Sequence, residues 1–331
     1  MPRNYTNFLI FDTETATLPF VNEMELSPED KKTIAIAKPL IYDIGWVVAN
    51  RTQGILYKRN FLVAEIFCVP AIFNTAYYKE KRPIYLEMLK KGEISILPWD
   101  DIMNIFLEDM ENCKYTCAYN IMFDAKKAIP FTELYIRNLY SPYYQQWEQM
   151  QKEFCNKILN SSNKRPNPKF DKEDFSFRGR KYPMIDIWGF ACSVLLNNNK
   201  FKRNCIENDR ISSTGLYFST SAETCFQYII SNYGFIEDHT ALSDAEIETA
   251  ILFKALKRSK IETGIQYFPF RMLGETIEYI TSARGVTEQM ALTVKEKIED
   301  YLPDDPDDMN RYEKGLFGKK LKLEKYIENR W

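Results

Sequence analysis

Four large apolar residues, Phe8 to Phe11, run directly into Asp12 and Glu14 within the stretch "NFLIFDTETATLPF". A run this short and dense belongs in a buried strand. Side chains alternate between the faces of a strand, so Asp12 and Glu14 project together from one of them. A chain that fixes two carboxylates side by side must either leave them hydrated or give them a cation. Clustered carboxylate oxygens are the donors that hard ions such as Mg²⁺ and Mn²⁺ favour. The feature therefore demands a core large enough to bury the strand, and further oxygen ligands elsewhere in the chain.

The core is within reach: 331 residues, 45% of them apolar and 27% charged, have the composition of a soluble globular protein. No apolar run approaches the ~20 residues of a membrane span. The first segment lacks the apolar length and small-residue cleavage site of a secretory signal. The expectation is a soluble, intracellular, cytoplasmic protein without a membrane partner. The seven cysteines are odd in number and scattered, which suits reduced core thiols better than a zinc site. With 44 basic against 46 acidic residues the net charge is −2, so no global field recruits nucleic acid. A polyanionic partner would have to be met by local basic patches or through metal ions.

Residues 8–14, 41–49 and 54–63 read as three strands of an antiparallel meander, with "NRTQG" supplying hairpin chemistry. Ser27 and Pro28 suit the N-cap and first position of a helix over 27–37. Periodicity predicts helices over 75–91 and 98–112, a short strand at 115–119, and a helix from about Phe123. Further helices are expected over 184–196, over 221–233 with Gly234 at its C-terminal turn, and over 239–256 with Ser243 and Glu246 as a capping box. The order is that of an α/β fold with a mixed sheet. Residues 141–182 read as an inserted segment. Residues 1–263 are expected to form one domain, and 264–331 a C-terminal extension with two amphipathic helices.

Two later segments supply the missing acids. Asp124 follows the strand expected at 115–119, and Asp244 stands at a helix start five residues after His239, the only histidine in the chain. Histidine is the side chain whose ordinary pKa lets it accept a proton near neutrality. Taken in order, Asp12-Thr13-Glu14-Thr15, then Ala118-Tyr119-Asn120 with Phe123-Asp124, then His239-x-Ala241-x-x-Asp244-Ala245 resemble the three motifs of the DnaQ-like, DEDDh-type 3′→5′ exonucleases. The resemblance covers roughly residues 5–257. It implies a ribonuclease H-like fold, a mixed five-stranded sheet flanked by helices with the acids gathered at its centre. It also implies two divalent ions, Mg²⁺ or Mn²⁺, held by Asp12, Glu14, Asp124 and Asp244.

By the family's mechanism Asp12 would bridge both ions, Glu14 and Asp244 would complete the water-activating site, and Asp124 would support the second ion. His239 would take the proton from the attacking water. The implied activity is hydrolysis of phosphodiester bonds at the 3′ end of single-stranded or frayed nucleic acid, DNA favoured, releasing nucleoside monophosphates. An exoribonuclease of the same family, or a non-catalytic module for a polymerase or another replication or repair partner, are the alternatives. Candidate substrate contacts are Thr13, Thr15, Leu18, Asn120 and Phe123. Lys164, Arg165, Arg178 and Arg180, interleaved with aromatics, could track a single strand. The sequence leaves the family's pattern at "TATLPF", in the long spacings after the first and second motifs, and beyond about residue 264.

Overall fold

Phe8, Leu9, Ile10 and Phe11 are each no more than 1% exposed, within a strand whose far end carries the two acids. The computed structural model describes residues 6–160, 175–260 and 275–331. Its strands are β1 (Asn7–Ala16), β2 (Leu40–Asn50), β3 (Gly54–Val63), β4 (Ser95–Leu97), β5 (Tyr115–Ala118), β6 (Phe175–Phe177), β7 (Arg180–Tyr182) and β8 (Met184–Asp186). Six of them form one mixed sheet in the order β4-β3-β2-β1-β5-β8. The β1–β2 and β2–β3 pairs are antiparallel, whereas β4 runs parallel to β3 and β5 and β8 continue parallel from β1. β6 and β7 make a separate hairpin.

The expected meander is β1–β2–β3. The sheet has six strands where five were expected, because two three-residue strands escape periodicity. One is β8, which overturns the start of the helix expected over 184–196. Met184–Asp186 pair with Thr116–Ala118, and the helix begins at Ile187. The helix expected over 75–91 is also shorter. Only Arg82–Lys91 is α-helical, because Thr75 engages its neighbours instead. Its hydroxyl accepts from Thr17 N at 2.8 Å and reaches Ile72 O at 2.7 Å, which holds the segment before Lys79 in turns. The Ser27 N-cap is present, accepting from Asp30 N ahead of the helix Pro28–Ala37.

The described residues fall into two units. The first comprises those up to Ile187 together with Glu237–Phe253 and Lys260; the second comprises Trp188–Ile236, Lys254–Ser259 and the tail from residue 275. This partition differs from a boundary at 263, since residues 188–236 group with the tail. Within the second unit, Ser221 caps the helix Ala222–Ile230, and the left-handed residue at its end is Ser231 (φ 55°) rather than Gly234. The tail holds three described helices, Thr276–Ser282, Glu288–Tyr301 and Arg311–Arg330, where two were expected. No helix among the described residues is long and apolar enough to cross a membrane.

In the first unit, the helix Ala241–Ala255 meets the sheet at β2, where Gly45 stands opposite Asp12 of β1. A Cβ on Gly45 would lie 2.3 Å from Leu242 N, so only glycine lets the start of the helix come this close. The carboxylate of Asp43, fully buried, accepts from Ala241 N at 3.0 Å and from the Tyr85 hydroxyl at 2.9 Å. The helix is thus capped from β2, and Ser243 lies inside it, which corrects the capping box expected at Ser243 and Glu246. Gly45→Ala is expected to force this contact apart and cost about 1–3 kcal/mol. The midpoint of chemical denaturation against wild type measures it.

Candidate metal and catalytic site

Three distant segments of the first unit bring their acids to the end of β1. Asp12 and Glu14 leave the same face of β1, where the β1–β2 register shifts between Glu14 and Thr15. Bulges of this kind are used to re-aim side chains beside functional sites. Asp124 follows β5, the parallel neighbour of β1, after a tight turn with Asn120 in the left-handed region (φ 60°). It opens a π-helical turn, Asp124–Ala128, in which Ile129 N donates to Asp124 O. Pro130 explains that turn: it lacks an N–H, and its ring would crowd the preceding carbonyls of a regular helix. His239 (φ 47°) lies just before the helix Ala241–Ala255, and Asp244 lies in its first turn.

Glu14, His239 and Asp244 form one group, each offering a ligand atom within 4.8 Å of the others. Asp12, Glu14 and Asp244 keep part of their surface open, whereas Asp124 is 2% exposed and forms the wall. The Thr13 hydroxyl donates to Asp124 Oδ1 at 2.5 Å, which orients that carboxylate from the strand next door. Thr13 is therefore engaged with a candidate ligand instead of facing a substrate.

Burial and mutual repulsion load this cluster with protons. Burial pushes Asp12 well above the usual carboxylate range, and Glu248, Asp124, Asp244 and Glu14 push it further. Glu14 is raised by burial and then by Asp244 and Asp43, against the lowering influence of Lys81. Burial lifts Asp124 to about 7 despite the Thr13 hydrogen bond, and lifts Asp244 to about 8 with help from Glu237. Asp43 is likewise raised by burial to about 7. Asp244 Oδ1 and Asp43 Oδ1 are buried with no hydrogen-bond partner among the described residues. A donor set made mostly of carboxylate oxygens, one of them buried and orphaned, fits a hard divalent cation, which would convert repulsion into attraction.

Four residues here were not singled out from the sequence. Glu248, 2% exposed, lies four residues after Asp244 on the same helical face and accepts from Tyr119 N at 3.1 Å. It ties the helix to the end of β5, and the i, i+4 spacing alone could have found it. Asp43 was legible only as an acid within the strand expected over 41–49; the structure buries that strand at every position. Tyr78 and Lys81 gave no signal, because they reach His239 across some 160 residues: Tyr78 stacks on its ring, and Lys81 Nζ donates to its carbonyl at 3.3 Å.

The remaining candidates are dispersed. Leu18 is 1% exposed and packs in the core, with no surface to offer a base. Thr15 and Phe123 are half-buried, and Asn120 is exposed at its turn. Arg178 pairs with Asp100 at 2.5 Å and Glu133 at 3.3 Å, and Arg180 pairs with Glu111. Both guanidinium groups are thus engaged around the helix Trp99–Glu111 and not at the acid cluster. Lys164 and Arg165 lie outside the described residues.

Comparison with protein-family models, with curated proteins and with solved structures gave no match.

The raised acids give a stability test with a definite sign. Between the ordinary value of 3.8 and raised values of about 7 to 8, Asp43, Asp124 and Asp244 hold protons in the folded state that the unfolded chain has released. Stability therefore falls as pH rises through this window, with the full contribution present below it. Thermal midpoints measured from about pH 5 to pH 8 with a chelator should decline. Mn²⁺ binds the ionised carboxylates, so it should flatten or reverse the decline and release protons as it binds.

Proposed function

We propose that this chain is a DnaQ-like, DEDDh-type 3′→5′ exonuclease with a ribonuclease H-like catalytic domain, hydrolysing phosphodiester bonds at a free 3′ end of nucleic acid. The observation that carries the reading is the convergence of Glu14, His239 and Asp244, whose ligand atoms lie within 4.8 Å of one another although 230 positions separate the first from the last. Supporting it, Asp12 and Asp124 border the same cluster, and the mixed sheet puts β1 between β2 and β5, so the acids leave its interior.

Asp12, Glu14, Asp124 and Asp244 would hold two divalent ions. When bound, such ions supply positive charge against the phosphate, a more acidic attacking water and stabilisation of the leaving 3′ oxygen. This also reconciles a net charge of −2 with a polyanionic substrate. The chain's own groups do the rest. His239, half-buried beside Glu14 and Asp244, accepts a proton from the attacking water. Thr13 fixes the Asp124 carboxylate, and Glu248 fixes the helix that carries Asp244. The fixed arrangement lowers the reorganisation required during reaction.

Incubation with matched 5′- and 3′-labelled DNA and RNA oligomers plus Mg²⁺ or Mn²⁺ tests the reading. Mononucleotides should be released from the 3′ end, DNA being cut faster than RNA, and a chelator should abolish release. A flat trace with both polymers and both ions would reject the activity. His239→Ala should lower kcat by about 10²–10⁴-fold while circular dichroism and the thermal midpoint stay near wild type. Undiminished degradation by that variant would remove His239 as the base.

A further inference from the structure

His239 is held in a left-handed backbone conformation that non-glycine residues keep where their surroundings support it, and the supporting groups lie around it (φ 47°). The left-handed turn makes two successive carbonyls, those of Asp238 and His239, converge on one point. Lys81 Nζ sits there, donating to Asp238 O and, at 3.3 Å, to His239 O. The same ammonium lies 4.5 Å from the centre of the Tyr78 ring. Tyr78 in turn covers one face of the His239 imidazole, with ring centroids 4.7 Å apart and planes inclined by 13°. Glu237 Oε2 lies 3.7 Å from His239 Nδ1, and Glu14 and Asp244 stand on the ligand side. Backbone, ring face and ring edge of this histidine thus each meet a separate group.

We propose that Lys81 and Tyr78 are positioning residues for His239. Lys81 locks the left-handed turn by bridging two carbonyls, and Tyr78 fixes the plane of the imidazole by stacking on it. Their consequence for catalysis rests on the exonuclease reading, but the positioning itself does not. Lys81 also lowers the carboxyl pKa of both Glu14 and Asp244, so its ammonium lies near the acids without being one of their ligands. The two carbonyls and the Tyr78 ring give the Lys81 ammonium a fixed position that a freely hydrated lysine lacks.

The chain's single histidine makes the test clean, since a histidine-labelled sample gives one set of imidazole resonances. In the full-length wild type these should be shifted upfield by the stacked Tyr78 ring. Lys81→Met and Tyr78→Ala should move them towards the free-histidine position and broaden them, whereas Lys81→Arg and Tyr78→Phe should retain the wild-type signature. Unmoved resonances in Lys81→Met and Tyr78→Ala would overturn the proposal. Tyr78 stands in a turn outside the sheet and helices, so Tyr78→Ala decides the matter if Lys81→Met fails to fold. With oligonucleotide substrate, Lys81→Met should lower kcat by roughly 10²-fold with little change in KM. The same substitution placed on His239→Ala should cost nothing further; an equal additional loss there would show that Lys81 acts elsewhere and reject the role. Resonances that move in a protein without nuclease activity would uphold the positioning and sink the exonuclease reading alone.

Discussion

One buried carboxylate holds the first unit's site together. Asp43 accepts the Tyr85 hydroxyl from one side and the Ala241 amide from the other, and so joins β2 to the first turn of the helix that bears Asp244 and Glu248. An acid at a helix N-terminus is favoured by the exposed amides and the helix dipole. Here that favourable contact is made with no surface exposed, at a cost in desolvation that raises the Asp43 pKa to about 7. Gly45, two residues on and on the same face, leaves the space that the approach requires. Strand and helix are therefore locked where β1 delivers Asp12 and Glu14.

The joint explains why the acids of this cluster share one electrostatic fate. Each is raised chiefly by burial, and each neighbour adds repulsion that a hydrated surface would have screened. Such an arrangement is poor as a source of stability and well suited to capturing cations. Lys81 acts on both Glu14 and Asp244, and it offsets only part of the repulsion.

What was legible in the sequence followed from local patterns. The run Phe8–Phe11 fixed β1, the Ser27-Pro28 pair fixed a helix start, and motif order brought out Asp12, Glu14, Asp124, His239 and Asp244. Contacts between distant segments were not legible. Met184–Asp186 are a strand only because β5 lies beside them, and three residues carry no period. Ser243 satisfied a capping pattern, yet Asp43, two hundred residues earlier, caps the helix from another strand. Lys81 and Tyr78 belong to a stretch whose helical periodicity misled, since Thr75 diverts the hydrogen bonds that would have extended the helix. The basic residues Arg178 and Arg180 suggested a strand-binding track, but charge in a sequence does not reveal the acids it will meet.

The π-helical turn at Asp124–Ala128 has a consequence of its own. It accommodates one residue more than an α-helix would in the same axial distance, and Asp124 owes its bearing to that surplus. Lys127, exposed on this turn, can change identity without disturbing the count, whereas Ala125 and Ala128 are buried in the core and leave room for little more than a methyl group. Shortening the turn by any one of them would let an ordinary helix close, and would swing the acid by roughly 100° about the axis relative to Ile129–Leu139. At this point the architecture records chain length as strictly as chemistry, and a deletion would be felt even where the lost residue touches nothing.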